Sequence, residues 1–321
     1  MSQMTTRPQI DRRVGKAVNV GEVRRLRILR SLSGYLFLAP ALLYLLGVSI
    51  YPLISTIQMS FMEVEQGGWQ VVGLQNYANL LRDLWFWNSL KIISVVAVAS
   101  TVLHISIGMA LALLLNEHWF SIILRNFMRG ILIFTWMFST AAAALMWSLL
   151  FHPFGLFNYL AKTLFDLSAP VEFLGNTSLA LWSVIVVGAW KYYPYYMLMI
   201  LGGLQTIPLE LYEAAKVDGA NYWHRFRHVT LPLLRPVLIV ISTIDMIATF
   251  SHVDLFKMLT RGGPLRTTEV VAYYIYKSAL LDGNLGYGAA ISTFVLMCLV
   301  VFMVVYMRIL SRGGETGETS F

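Results

Sequence analysis

No charged side chain appears between Arg30 and Glu63, and nothing constrains this chain more than that gap. It holds YLFLAPALLYLLGVSIYPLISTIQMSF, enough to supply the about 20 apolar residues that one membrane-crossing helix needs. A second such run, IISVVAVASTVLHISIGMALALLLN, lies between Lys91 and Glu117, and a third, GILIFTWMFSTAAAALMWSLLF, covers Gly130 to Phe151. The fourth extends from about Leu179 to Leu204 and is interrupted only by Lys191. The fifth, about Leu233 to Phe250, contains Asp245, and the sixth runs from about Leu285 to Met307. The pattern predicts an all-α polytopic membrane protein with six transmembrane helices. Composition agrees: 13% of residues are charged and the mean hydropathy is +0.65, against about 25% charged in a soluble domain.

The formal charge of +7 fits the excess of Lys and Arg that flanks membrane helices on the cytoplasmic side. A nucleic-acid surface would need basic and aromatic side chains clustered on a soluble face, and this sequence offers none. Arg12, Arg13, Lys16, Arg24, Arg25, Arg27 and Arg30 precede the first run, which is too long for a signal-peptide core. Residues 1–30 therefore read as a basic cytoplasmic segment, 31–312 as the six-helix domain and 313–321 as a cytoplasmic tail. Six crossings return Arg308 and Arg312 to the starting side. The segment between the fourth and fifth runs then faces the cytoplasm as well. Cys298 has no partner for a disulfide in this chain and reads as a small hydrophobe.

That segment, EAAKVDGANYWHRFRHVTLP from Glu213 to Pro232, is dense in charged and hydrogen-bonding residues. Pro208 suits a first helical turn, and Glu210 and Glu213 sit near its positive dipole end. Leu209, Tyr212 and Val217 share an apolar side, Gly219 breaks the helix, and a second piece, NYWHRFRHV, leads to Pro232 and Pro236, where the next span is expected to begin. A helix lying on headgroups, anchored by Tyr222, Trp223, Phe226, Arg225 and Arg227, is one explanation. The spacing favours another. Glu213-Ala214-Ala215, three residues, Gly219, nine residues, Val229, one residue and Leu231-Pro232 resembles the EAA loop of binding-protein-dependent ABC importers, with Val229 where that family has Ile.

The resemblance extends along the membrane part of the chain. FLAPALLYLLGVSIYPLISTIQMSF is similar to the first span of sugar-type permeases, and GLQNYANLL to the loop sequence after it. MLMILGGLQTIPLELYEAAKVDGA resembles permeases of the maltose and glycerol-phosphate type, and MLTRGGPLRTTEVVAYYIYKSAL their loop after the fifth span, with Arg261-Gly262-Gly263-Pro264 in place of Gly-Gly-Gly-Pro. The resemblance implies a type I ABC importer permease fold in the bacterial inner membrane, with an EAA coupling loop at 208–232. It implies that Glu213, Ala214, Ala215, Asp218, Gly219, Leu231 and Pro232 couple to a cytoplasmic ATPase. It implies further partners: a second homologous permease, two ATP-binding subunits and an extracytoplasmic solute-binding protein. The expected solute is a sugar, oligosaccharide, polyol or glycerol-phosphate compound, with an amino acid or phosphate as the alternative.

No phosphate-cradling Gly-x4-Gly-Lys-Ser/Thr motif occurs in the sequence, so ATP and Mg are expected on the partner ATPase and no cofactor or catalytic residue in this chain. No Ser/His/Asp or Cys/His constellation suggests a membrane enzyme. An ion-driven secondary transporter would leave the loop motif unexplained. His224 and His228, at helical i, i+4 spacing, lack the third ligand that zinc requires, so no metal is expected. Intramembrane charges are functional candidates, and Lys191 and Asp245 are the clear ones. Lys191 begins KYYPYY, whose Tyr192, Tyr193, Tyr195 and Tyr196 offer hydroxyls and ring faces suited to sugars, the alternative being that they pack between helices. Lys191 lies about 12 residues (roughly 18 Å) and Asp245 about 11 residues (roughly 16 Å) from the same membrane face. The expectation is that they pair across the fourth and fifth spans; the alternative is that Lys191 snorkels and Asp245 binds elsewhere.

Overall fold

The computed structural model describes residues 37–65, 68–117 and 120–315. The basic N-terminal segment and the end of the expected tail lie outside the described residues. In chain order the elements are α1 (Phe37–Met59), a hairpin of β1 (Met62–Glu65) and β2 (Gly68–Val71), α2 (Gln75–Arg82), α3 (Leu84–Asn116), α4 (Ile122–Met137), α5 (Thr140–Leu150), α6 (Leu156–Phe165), α7 (Ala180–Gln205), α8 (Leu209–Val217), α9 (Tyr222–Ser251), α10 (Asp254–Leu259), α11 (Val271–Tyr276) and α12 (Leu285–Glu315). The apolar runs become helices because hydrocarbon offers no partner to a peptide group, and a helix satisfies its own.

Contacts divide the chain into two units, residues 1–56 and 57–321. The described part of the first is helix, with a π turn at Leu46–Ile50 and no buried residue. Among the described residues five helices, α1, α3, α7, α9 and Leu285–Arg308 of α12, are long and apolar enough to cross a membrane. The sixth expected crossing is broken: α4 and α5 meet at 94°. Neither Gly nor Pro marks the break at Phe138 and Ser139, so unbroken hydropathy concealed it. The fifth span differs as well. The expected start at Pro232 and Pro236 is absent, because one helix runs through from Tyr222 to Ser251. A π turn at Phe226–Thr230 widens the helix ahead of Pro232, making room for a ring that cannot donate to the helical ladder.

In the second unit α3 and α7 pack closely. A Cβ on Gly108 would lie 2.9 Å from the Met197 backbone nitrogen, so only glycine lets the two backbones approach this far. Two apolar clusters form along these helices. One contains Phe86, Ile93, Val96, Trp147, Val187 and Phe256; the other contains Met109, Leu115, Met197, Ile200, Leu234 and Ile241. Lipid is as apolar as leucine, so what these clusters add in a membrane is close packing rather than escape from water.

Asp83 anchors the start of α3 as its N-cap. Its carboxylate accepts the Trp85 and Phe86 N–H groups at 2.9 and 3.3 Å and the Tyr287 hydroxyl at 2.6 Å, and also takes the Tyr274 hydroxyl. Burial pushes this carboxyl up, but the Tyr274, Tyr287 and backbone hydrogen bonds outweigh it and hold the group below its ordinary value. The same contact, after burial, pushes the Tyr274 hydroxyl up to about 12. Beside it the Arg266 guanidinium lies 4.1 Å from the centre of the Trp85 ring and pairs with Glu269 through both carboxylate oxygens.

Candidate functional site

Two places hold the residues singled out by the sequence. The first is the knob between α7 and α9. α8 stops at Val217 because Gly219 takes φ +78°, a conformation nearly reserved for glycine. Gly219 N–H returns to the Lys216 carbonyl at 3.0 Å and Ala220 N–H to the Ala215 carbonyl at 2.9 Å. That pair of bonds is the Schellman arrangement, which satisfies the orphan carbonyls of a helix end. Asn221 then caps α9, its side-chain oxygen accepting the His224 N–H at 2.8 Å. The knob is thus a rigid helix–turn–helix. Glu213, Ala214, Asp218, Gly219, Leu231 and Pro232 are exposed and Ala215 is half-buried. Val217 is 88% and Leu209 67% exposed, which leaves apolar surface without cover. Tyr212 turns inward instead, its hydroxyl 3.0 Å from that of Thr230. His224 and His228 stack at 4.0 Å, and His228 Nδ1 donates to the His224 carbonyl.

The second place is a polar layer between the two apolar clusters. Asp245 on α9, 2% exposed, receives the Tyr196 hydroxyl from α7 and His104 Nδ1 from α3 at 3.0 Å. The His104 ring stacks on Tyr196 at 4.9 Å and meets Tyr192 edge-on at 6.0 Å. Tyr192 stacks in turn on His252 at 4.9 Å and 8°. His104 Nε2 has no partner among the described residues and borders a cavity of about 20 Å³ shared with Ser100, Tyr192, Thr249 and His252. The space is of a size for about one water molecule.

Lys191 and Asp245 do not pair. The Lys191 ammonium donates to the Phe138 carbonyl at the break between α4 and α5, while Asp245 is occupied by α3 and α7. Rotation about α7 explains this. Tyr192 and Tyr196, one turn apart, face α3 and α9, whereas Lys191 and Tyr195 face α4, where Tyr195 meets Trp136 at 5.8 Å. Tyr193 is buried and joins neither set. Depth is legible in a sequence, and rotation is not. His104 and His252 escaped the sequence reading, although a histidine within an apolar run carries the same signal as any intramembrane ionisable group.

Residues 104–313 match the family of binding-protein-dependent transport system inner membrane components. The chain is 34% identical over 286 residues to the trehalose/maltose transport system permease protein MalF of Thermococcus litoralis, covering 86% of this chain and 92% of that protein. It is 34% identical over 283 residues to the inner membrane ABC transporter permease protein YcjO of Escherichia coli, covering 85% and 91%. Among solved structures, a chain of a bacterial alginate ABC transporter in complex with an alginate pentasaccharide-bound periplasmic protein superposes with TM-score 0.79. It is 22% identical, and the match covers 90% of this chain and 97% of that one. The type I importer permease fold expected from the sequence is the fold found.

Proposed function

The chain belongs to the family of binding-protein-dependent transport system inner membrane components, and from that premise we propose that it forms half of the translocation pathway of a sugar or oligosaccharide importer. The relative named for trehalose/maltose transport supports that solute class. The observation that carries the coupling role is the knob: a rigid, Schellman-capped helix that exposes Leu209 and Val217 beyond the ends of the apolar spans. In this reading α8 lodges in a groove of an ATPase subunit, the mode in which an amphipathic helix lays its apolar side in a cleft. Glu213, Ala214, Ala215, Asp218 and Gly219 form the inserted part, and Leu231 and Pro232 its return. ATP and Mg belong to two ATPase chains, and closure of that pair carries α7 and α9 as a rigid body to switch access.

A second permease completes the pathway, and a periplasmic binding protein delivers the solute. Both termini and the knob face the cytoplasm. Tyr192 and Tyr195, both half-buried, line the pathway in this proposal, with Lys191, Tyr193 and Asp245 in its wall. The test is solute-stimulated ATP hydrolysis by the complex reconstituted with its binding protein. Stimulation by an oligosaccharide and not by amino acids or phosphate is expected, and stimulation by an amino acid alone would reject the solute class. Tags before Ser31 and after Arg312 should be reached only from the cytoplasm; labelling from outside would reject the orientation.

A further inference from the structure

We propose that Lys191 is a positioning residue whose ammonium caps the broken end of α4 and holds the break of the third span against α7. A helix end leaves carbonyls without intrahelical partners, and within a membrane no water is at hand to take them. Other helix ends in this chain return a backbone N–H: Thr206 to Gly203 and His252 to Thr249, each at 3.2 Å. At the end of α4 the chain turns out into extended backbone at Phe138 and Ser139. Among the described residues, Lys191 Nζ is the donor that reaches the Phe138 carbonyl. Lys191 is 4% exposed and forms no ion pair with a described residue. Its counter-charge is the negative end of the α4 dipole.

The neighbours of Lys191 grip both sides of the same break. Trp190 meets Phe138 at 6.2 Å and Trp147 of α5 at 5.6 Å. Tyr195 meets Trp136 of α4 at 5.8 Å. α7 therefore carries a saddle, with an ammonium at its centre, into which the bend fits. The bend angle is set by α7, and a shift of α7 displaces α4 and α5 with it. The cap stands whether or not α8 seats in an ATPase.

Spin labels at Ile131 on α4 and Leu149 on α5, both exposed at 55% and 71%, read the break directly in the intact complex in lipid. A narrow distance distribution is expected for the native chain and for Lys191→Arg. Lys191→Met, which keeps the stem and loses the donor, should broaden or shift it and lower the maximal uptake rate about tenfold at equal membrane level. An unchanged distribution in Lys191→Met with a raised KM for the solute would make Lys191 a solute contact and overturn the proposal. Should Lys191→Met fail to accumulate, Lys191→Arg decides alone: a native distribution with native uptake upholds the cap, and a broadened one overturns it.

Discussion

The knob and the polar layer are built on opposite plans. In the layer, His104, Tyr196, Asp245 and Lys191 are each buried to 4% exposure or less, and each takes a partner from another helix. In the knob, the turn and cap hydrogen bonds run between near neighbours in sequence, with a Tyr212–Thr230 contact joining its two helices, and Val217, Trp223 and Leu209 keep most of their surface uncovered. A buried polar group in hydrocarbon must be satisfied from within. A surface held by bonds within its own short segment is rigid but incomplete, which suits a part that meets another chain. The interior holds this subunit together, and the knob is where it is expected to be driven.

Several substitutions sharpen or break that contrast. The largest effect is expected at Gly219: replacement by Trp places a bulky residue at φ +78°, removes the Schellman turn and should reduce uptake to background while insertion continues. Glu213→Lys should do the same by reversing charge on the exposed face. Normal uptake in either, at normal membrane level, would remove the knob from coupling. Next comes Asp245→Ala, which leaves His104 and Tyr196 unpaired in the interior and should cost about 3 kcal/mol of folding stability, measured by unfolding in micelles. Adding His104→Ala should recover part of that loss; additive costs would mean the two side chains do not interact.

Asp83→Asn should cost roughly 1–2 kcal/mol at neutral pH, since it discards the charge on the acceptor of the hydrogen bonds at the start of α3. Its folded value is lowered from 3.8, so its contribution is complete above that pH and is lost as pH falls through the folded value. The variant should show a flatter acid limb of stability, and an unchanged limb would count against the anchor. Asn221→Ala removes a helix cap and should cost about 1 kcal/mol, read as easier local exchange at the start of α9. The smallest effect is a null one. Exchanging the charges by Lys191→Asp with Asp245→Lys should restore nothing, because each group serves a different partner; recovery of uptake would revive a direct pair.

What the sequence made legible follows the same division. Helices and the EAA spacing rest on composition and on offsets along one segment, so Glu213, Gly219 and Pro232 could be singled out together. The break at Phe138 and Ser139 was not legible, because its stabilising group, Lys191, is supplied 53 residues away in sequence. The partner of Asp245 was missed for a related reason. Equal depth on adjacent helices suggested Lys191, but a rotation of one residue along α7 places Tyr192 and Tyr196 against α3 and α9 and turns Lys191 to α4. The continuity of α9 through Pro232 and Pro236 depended on a π turn that has no signature in residue type.

The central claim, that the uncovered face of α8 seats in another protein rather than on lipid headgroups, is tested most directly by a photocrosslinking residue in place of Val217, an apolar residue of that helix that is 88% exposed. In membranes containing the whole transporter, irradiation should join this chain to the ATPase subunit, and the yield should change between nucleotide-free and ATP-bound states. Crosslinking to lipid in both states, with no ATPase adduct while uptake is intact, would contradict the account.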